Sequence, residues 1–261
     1  MKRLSFLTLT LFLYSSMNAQ SVLKGDMNDD GQITIADVTM LVDIILGKTP
    51  SETIPAQGII IDGHECVNLG LSSGTLWAAT NLGADSPEDY GNFFAWGDTT
   101  GNTSGNSSFS WISYIWSGHT FDSLTKYCNN SSYGIQDNLT ELELADDAAY
   151  MTRSRQWRIP TDEQLQELLN ECTWTWTTLN GINGYEVKGS NGNAIFLPAA
   201  GVYSSEGYER EGSYVSFWTR SLYQSSTYNA LLLSAWDNSE PSLTYGLRYY
   251  GRTIRPVAYI K

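Results

Sequence analysis

From residue 59 onward, short apolar or alternating runs are separated by Gly, Asn and Ser. "GIIIDGHECVNLG" predicts a β-hairpin, because Asp-Gly between two apolar runs favours a two-residue turn. "CTWTWTTLNGINGYEVKG" predicts a second hairpin that turns at Asn180-Gly181 or Asn183-Gly184. "GTLWAATNLG", "NAIFLPAAG" and "TIRPVAYIK" predict further strands. Pro256 in the last of these indicates an edge strand or a bulge, since proline cannot donate to a ladder.

Two segments predict helices. In "PTDEQLQELLNEC", Thr161 and Gln164 have the spacing of a capping box, and leucines follow at helical spacing. "ELADDAAYM" predicts a second, shorter helix, whose Asp146 and Asp147 are expected to be exposed or to anchor a loop. Residues 100–120, rich in Gly, Asn, Ser and Trp, predict a long loop. Few helices among many short strands indicate an α+β fold over residues 59–261.

The N-terminus has the pattern of an export signal. "MKRLSFLTLTLFLYSSMNAQ" places two basic residues before a short apolar run and ends in small or polar residues, which predicts a signal peptide over residues 1–19. No cysteine lies at the predicted cleavage region, so we expect a secreted, periplasmic or surface protein that is not a lipoprotein.

Residues 48–58, with two prolines, predict a linker. No run of residues after the signal is apolar for long enough to predict a membrane span.

Composition narrows the choice of partners. The chain of 261 residues has a net charge of −13, which disfavours a nucleic-acid partner. Aromatic residues make up 13%, which fits either a large aromatic core or a surface that stacks on sugars or proteins. Cys66, Cys128 and Cys172 leave at least one thiol unpaired in a monomer, and their spacing gives no zinc motif.

A calcium loop is predicted in "GDMNDDGQITIADV". Alternating oxygen-bearing residues around a glycine turn supply the six to eight hard oxygens that Ca²⁺ prefers. The predicted ligands are Asp26, Asn28, Asp30, Gln32 (through its carbonyl), Thr34 and Asp37.

Apolar residues at helical spacing follow the loop and end at Gly47. The stretch over residues 22–47 therefore resembles one type I dockerin repeat, an EF-hand-like module. Cohesin-binding dockerins have two such repeats, and this chain has one. The resemblance thus implies the calcium ligands, and it leaves open whether the helix docks a cohesin-like partner or packs on its own chain.

Several phrases, in order, mark the large region: "VNLGLSSGTLWAATNLGADSPEDYGNFFAWGDTT", "LELADDAAYM", "WRIPTDEQLQELL", "IFLPAAG", "FWTRS" and "GRTIRPV". They resemble the major-paralogue (FISUMP) domains of Bacteroidetes and Fibrobacter over residues 59–261. That resemblance implies a C-type-lectin-like fold that displays binding loops.

Catalytic patterns are weak. "GLSSG" (residues 70–74) fits a nucleophile elbow, but a strand rather than a helix follows it. Asp162 and Glu163 are explained by helix capping. The lectin-like oxidases use a cysteine pair near the C-terminus, which this chain does not have. No catalytic residue is therefore predicted.

The segment before the last strand is rich in Tyr, Ser and Asn, a composition typical of binding loops. Its predicted ligand-binding residues are Tyr223, Tyr228, Asn229, Trp236, Asn238, Tyr245, Arg248, Tyr249 and Tyr250. Ordinary turns and strands of a Tyr-rich fold are the competing interpretation. We expect an exported, non-catalytic protein that binds a glycan or a surface protein. The alternatives are an accessory or catalytic protein of polysaccharide degradation, delivered by the repeat, and a structural subunit of a surface assembly.

The calcium loop makes a direct prediction. Calorimetric titration with Ca²⁺ is expected to give a binding isotherm for the wild-type chain and none for Asp26→Ala, because position 1 of the loop is a carboxylate ligand. Identical flat traces for both proteins would contradict the loop assignment.

Overall fold

The computed structural model describes residue 38 and residues 59–101, 109–237 and 239–258. Apart from Val38, these residues belong to one compact unit, Ala56–Lys261. Within them the chain forms thirteen β-strands, two α-helices and two 3-10 helices. This content is β-rich with few helices, as the short apolar runs predicted. The predicted signal peptide, calcium loop and linker lie outside the described residues.

The largest sheet contains β1 (Ile59–Ile61), β2 (His64–Asn68), β3 (Leu76–Ala78), β4 (Trp157–Arg158) and β13 (Val257–Ala258). Its order is β1-β2-β3-β13-β4, and every pairing is antiparallel. The first hairpin turns at Asp62-Gly63, where φ is +48° and +79°. Positive φ at both turn positions is what a two-residue type I′ turn requires, so the Asp-Gly prediction is confirmed.

The predicted edge position of the last strand is wrong. β13 lies between β3 and β4, inside the sheet. Pro256 immediately precedes β13, so its missing N–H removes no ladder hydrogen bond. The Pro256 carbonyl accepts a hydrogen bond from the Ala78 N–H at 2.9 Å and still contributes to the pairing.

Three smaller sheets complete the β structure. They are β5 (Thr173–Leu179), β6 (Ile182–Lys188) and β7 (Ala194–Pro198); β8 (Val202–Ser204) and β9 (Gly207–Glu209); and β10 (Tyr214–Leu222), β11 (Asn229–Trp236) and β12 (Ser242–Leu247). All pair antiparallel in chain order. The β5–β6 hairpin turns at Asn180-Gly181, the first of the two predicted positions.

Both predicted helices are present, as α1 (Ala148–Thr152) and α2 (Asp162–Glu171). Helix α2 begins with the predicted capping box. The Thr161 hydroxyl accepts from the Gln164 N–H at 3.1 Å, and the Gln164 side chain accepts from the Thr161 N–H at 2.9 Å. Within the described residues, neither helix has the length and apolar character needed to cross a bilayer.

Asp146 and Asp147, before α1, are buried and act as loop anchors. Asp147 accepts hydrogen bonds from the backbone N–H groups of Tyr150 and Ile159, both at 3.1 Å. Burial raises the pKa of Asp147 to about 6, against the opposing effect of these backbone donors. Asp146 accepts from the Tyr127 hydroxyl and, at 2.6 Å, from the Lys126 ammonium. Of the two expectations for this acidic pair, loop anchoring is therefore correct.

Four tryptophans lie in the core with at most 1% of their surface exposed, namely Trp77, Trp96, Trp157 and Trp218. Two of them join a loop to a strand through their indole N–H groups. Trp96 donates to the Thr219 carbonyl at 2.8 Å, and Trp218 donates to the Phe94 carbonyl at 2.9 Å. Much of the aromatic content therefore builds the core.

Arg248, directly after β12, is completely buried. Its guanidinium donates to the carbonyls of Lys126, Tyr127 and Thr227, each at 3.0 Å, and to the Tyr114 hydroxyl at 2.9 Å. It forms no ion pair within the described part of the chain. Three backbone carbonyls and one tyrosine hydroxyl therefore satisfy this buried cation, and the carbonyl contacts fix two distant loops to the end of β12.

Removing this guanidinium tests its importance. Arg248→Met is expected to lower the free energy of unfolding by about 3–5 kcal/mol, because four buried acceptors lose their donors. Urea unfolding followed by tryptophan fluorescence measures the change. The control is Arg210→Met, because exposed Arg210 lies over Trp236 at 5.1 Å and is expected to contribute no more than about 1 kcal/mol. Similar losses in both variants would contradict this role for Arg248.

Candidate binding cleft

A polar cleft of about 520 Å³ opens between two loops, residues 129–136 and residues 224–228. Its lining residues are Asn129, Asn130, Ser131, Tyr133, Gln136, Gln224, Ser225, Ser226, Thr227 and Tyr228. Every one of these side chains is uncharged. The volume falls within the range of about 300–1,000 Å³ that small-ligand sites occupy.

The first wall is shaped by local backbone chemistry. Asp137, which follows the loop, accepts hydrogen bonds from the N–H groups of Tyr127, Cys128 and Leu139 at 2.7–3.1 Å. Gly134 has φ of +145°, and a Cβ at this position would lie 2.0 Å from the Leu124 carbonyl oxygen. Only glycine fits this approach without moving the backbone. The loop therefore has one well-defined path past Leu124.

The second wall closes the β10–β11 hairpin. The Tyr223 carbonyl accepts from the Ser226 N–H at 2.9 Å, and the Tyr223 N–H donates to the Asn229 carbonyl at 3.1 Å. The Asn229 side-chain amide donates to the Ser226 hydroxyl at 3.0 Å. These bonds hold the backbone of residues 224–228 as a compact turn in which Gln224 and Ser225 are exposed.

Direct hydrogen bonds connect the two walls. The Asn129 amide donates to the Gln224 carbonyl at 2.8 Å, and the Thr227 hydroxyl donates to the Tyr127 carbonyl at 3.1 Å. The Nη1 group of Arg248 donates hydrogen bonds to the carbonyls of both Tyr127 and Thr227. The walls are thus joined by bonds to main-chain carbonyls, and half of the lining side chains take no part in the hydrogen bonds of the cleft.

Six lining groups make no hydrogen bond within the described part of the chain. They are the Asn130 Nδ2, Ser131 Oγ, Tyr133 Oη, Gln224 amide, Ser225 Oγ and Tyr228 Oη groups. Together they offer donors and acceptors without formal charge. This set suits a ligand with several neutral hydroxyl or amide groups.

Aromatic rings lie beside these polar groups. The rings of Tyr133 and Tyr228 have centroids 5.2 Å apart, and Phe121 lies 5.9 Å from Tyr228 and 6.1 Å from Tyr133. Phe121 is 49% exposed, although phenylalanine is usually buried. The cleft therefore combines flat apolar surfaces with uncommitted polar groups.

Tyr228, one of the predicted ligand-binding residues, lines this cleft. Tyr223 precedes the second wall, and its ring stacks on that of Tyr245, with centroids 4.1 Å apart and planes 6° apart. Tyr245 is 52% exposed. Tyr223, Tyr228 and Tyr245 are therefore the predicted residues that offer ring surface at this end of the sheet.

Other predicted residues do not form part of an exposed face. Asn229, Arg248 and Tyr249 are buried. The side chains of Asn229 and Arg248 make hydrogen bonds inside the protein, and the Tyr249 ring packs in the core. Tyr250 is half-buried and contacts both the Tyr249 ring and the Arg252 guanidinium. These four residues therefore contribute little or no exposed surface to a ligand-binding face.

Trp236 lies at the opposite end of β11 from Asn229. A rise of about 3.4 Å per residue places the ends of this eight-residue strand roughly 24 Å apart. Trp236 packs on Tyr214 with centroids 4.4 Å apart, away from the cleft. Asn238 and the six predicted calcium ligands lie outside the described residues.

The sequence interpretation missed residues 129–136 and Phe121. The run "CNNSSYGIQ" carries amides, hydroxyls and a tyrosine around a glycine, which is the same composition that marked the C-terminal segment. This composition is visible in the sequence. The sequence does not show that residues 129–136 lie beside residues 224–228, because the contacts between them join positions 95 or more residues apart.

The weak catalytic patterns have structural roles. The Ser73 hydroxyl donates to the Glu167 carboxylate at 2.6 Å, which ties the 70–74 turn to α2. The Asp162 carboxylate accepts from the Ser221 hydroxyl at 2.6 Å. The three cysteines are unpaired, and the described residues hold no group of three or more His, Cys, Asp or Glu side chains suited to a metal ion.

The different placements of Tyr245 and Tyr249 lead to different stability effects. Tyr249→Ala is expected to cost about 3–5 kcal/mol, because its ring is 8% exposed and packs 5.0 Å from Trp111. Tyr245→Ala is expected to cost no more than about 1 kcal/mol, because half of its surface already contacts solvent. Urea midpoints at constant m-value measure both. Equal midpoints for the two variants would contradict the assignment.

No family model, curated protein or solved structure matches this chain. The resemblances to a dockerin repeat and to a FISUMP domain are accordingly expectations drawn from sequence phrases. The function proposed below is therefore based on the geometry of the cleft.

Proposed function

We propose that this protein binds a neutral glycan, without catalysis, in the cleft between residues 129–136 and 224–228. The observation that supports the proposal is the set of six uncommitted, uncharged polar groups beside the rings of Tyr133, Tyr228 and Phe121. The calcium repeat and the export signal predicted at the N-terminus belong to this proposal as a small accessory module and a route out of the cytoplasm.

A sugar ring matches both the polar groups and the aromatic rings of the cleft. A pyranose carries hydroxyls around its rim, which hydrogen-bond to amide and hydroxyl groups. Its faces expose C–H groups, which pack against aromatic rings that have an apolar body and a polar tip. The Gln224 and Asn130 amides would bond the hydroxyls, and Tyr228 would pack on one face.

Charge argues for a neutral ligand in preference to an acidic one. The cleft has no Lys, Arg or His among its lining residues, so a carboxylate or phosphate would find no cation there. Burying an unpaired charge is costly, which disfavours acidic sugars at this position. The rigid main-chain scaffold favours binding because little loop ordering accompanies it.

A panel of neutral oligosaccharides tests the proposal with the full chain. Calorimetry or an array with gluco-, xylo-, manno- and galacto-oligosaccharides is expected to give at least one ligand. Tyr228→Ala and Gln224→Ala are each expected to weaken that binding by about tenfold or more, because each removes a contact worth roughly 1.4 kcal/mol.

Trp236→Ala is the matched control, because Trp236 is also a half-buried ring but lies at the far end of β11. Its affinity should stay within about twofold of wild type, a change below roughly 0.5 kcal/mol. Loss of binding in Trp236→Ala with none in Tyr228→Ala would overturn the assignment of the cleft. Release of shorter products from the bound oligosaccharide, followed by chromatography, would overturn its non-catalytic character.

A further inference from the structure

A second cleft of about 520 Å³ lies between the β1–β2 hairpin, the loop at residues 80–85 and the end of α1. Unlike the first, it is charged. Arg153 and His64 line it together with Glu65 and Asp85. None of these residues belongs to the proposed glycan site, so this cleft can be considered independently of it.

Arg153 is held firmly in this cleft but is only partly satisfied. Its guanidinium lies 4.9 Å from the Trp157 ring centroid, and Nη2 donates to the Thr80 hydroxyl at 3.0 Å. Its Nη1 atom is buried and has no hydrogen-bond partner within the described residues. Arg153 also forms no ion pair there. A buried guanidinium with an unused donor is costly unless an acceptor fills the position.

A second buried cation strengthens the local positive potential. Arg255 is 1% exposed, and its donors are occupied by the Asn81 side chain and by the carbonyls of Ala78, Ala79 and Phe196. Burial and, to a smaller degree, the charge of Arg153 lower the pKa of Arg255 to about 9, so both guanidinium groups are still protonated at neutral pH. Neither has a carboxylate partner in the described part of the chain.

An unused acceptor lines the same cleft. The Asn92 Oδ1 atom is buried and has no donor among the described residues. The Asn92 amide is fixed against Gly83, where an added Cβ would lie 2.6 Å from the Asn92 Cγ atom. Two residues that line the cleft, Arg153 and Asn92, therefore carry one unused donor on a guanidinium and one unused acceptor.

We infer that this second cleft binds a small monocarboxylate that carries a hydroxyl or ammonium group next to its acid group. The carboxylate accepts from Nη1 of Arg153, and the neighbouring group donates to Oδ1 of Asn92. Glu65 and Asp85 are exposed residues of the lining. Their charges repel a dianion such as phosphate more strongly than a ligand with one negative charge.

Hydroxy acids and amino acids share this chemistry, and a binding panel distinguishes them. The full chain is titrated by calorimetry with lactate, D-glycerate, L-alanine and L-serine, and with acetate and D-glucose for comparison. We expect a hydroxy acid or an amino acid to bind at least about tenfold more tightly than acetate, because acetate leaves Asn92 Oδ1 unpaired. D-glucose, which has no acid group, is expected not to bind at this cleft.

Two variants change the cleft in different ways. Arg153→Gln removes the positive charge, and Asn92→Asp keeps the shape of the side chain but adds a carboxylate that repels the acid group of the ligand. Both are expected to weaken hydroxy-acid binding by about tenfold or more. Arg153→Gln removes a charge-assisted contact, and Asn92→Asp places a second negative charge beside the carboxylate of the ligand. If Arg153→Gln fails to fold, the near-isosteric Asn92→Asp variant still provides the test.

Arg158→Gln is the matched control, because the Arg158 guanidinium also lies over a ring, at 4.2 Å from the Tyr150 centroid, but outside the cleft. Its affinity is expected to stay within about twofold of wild type. The inference is overturned if no hydroxy acid or amino acid binds more tightly than acetate. It is also overturned if binding survives both cleft variants, or if D-glycerate binding is lost in Tyr228→Ala and retained in Arg153→Gln.

Discussion

Buried arginines that bond to main-chain carbonyls are the interaction on which this fold depends. A buried cation usually needs a carboxylate, because desolvation is costly and Coulomb attraction offsets only part of that cost. Arg248 and Arg255 instead use several carbonyl oxygens each, and both are almost wholly buried. The planar guanidinium suits this role because its donors spread in a fixed fork. Arg248 thereby connects two loops, and Arg255 connects β3 and β7 with the segment that follows β3.

These contacts explain how a chain with long irregular segments has defined clefts. The loop at residues 129–136 has only a short 3-10 helix, Ser131–Tyr133, and the turn at 224–228 has no regular structure. Arg248 fixes their backbones through Tyr127 and Thr227, and Asp137 fixes the entry to the first loop. Arg255 does the same near the second cleft, where Ala78 and Ala79 lead into the 80–85 loop. Both candidate sites are therefore bounded by loops that a buried arginine holds.

Local chemistry in the sequence predicted the elements that depend on neighbouring residues. Asp62-Gly63 and Asn180-Gly181 specify turns by their own backbone preferences, and Thr161 with Gln164 specifies the start of a helix. Features that depend on distant contacts were not predictable in this way. Pro256 suggested an edge strand, yet β13 is covered on both sides by β3 and β4, which are far from it in the sequence.

The candidate site shows the same difference between features that depend on neighbouring residues and features that depend on distant contacts. Tyr, Ser and Asn composition indicated the C-terminal segment, which includes the cleft residue Tyr228, but it did not separate exposed rings from Tyr249 or from buried Arg248. An arginine beside tyrosines has the same local pattern on a surface and in a core. Arg248 lies in the core because its guanidinium bonds to carbonyl acceptors that are 21 and 121 residues away in the sequence.

One consequence concerns how freely the cleft can diversify. Its walls are joined mainly through carbonyl groups, which every residue type supplies. Side chains such as Ser131, Gln224 and Ser225 carry none of the described hydrogen bonds that connect the walls. Substitution at those positions would alter ligand preference while leaving the supporting framework in place. The same framework could therefore serve a set of related sequences with different specificities, in the way that an antibody framework supports variable loops.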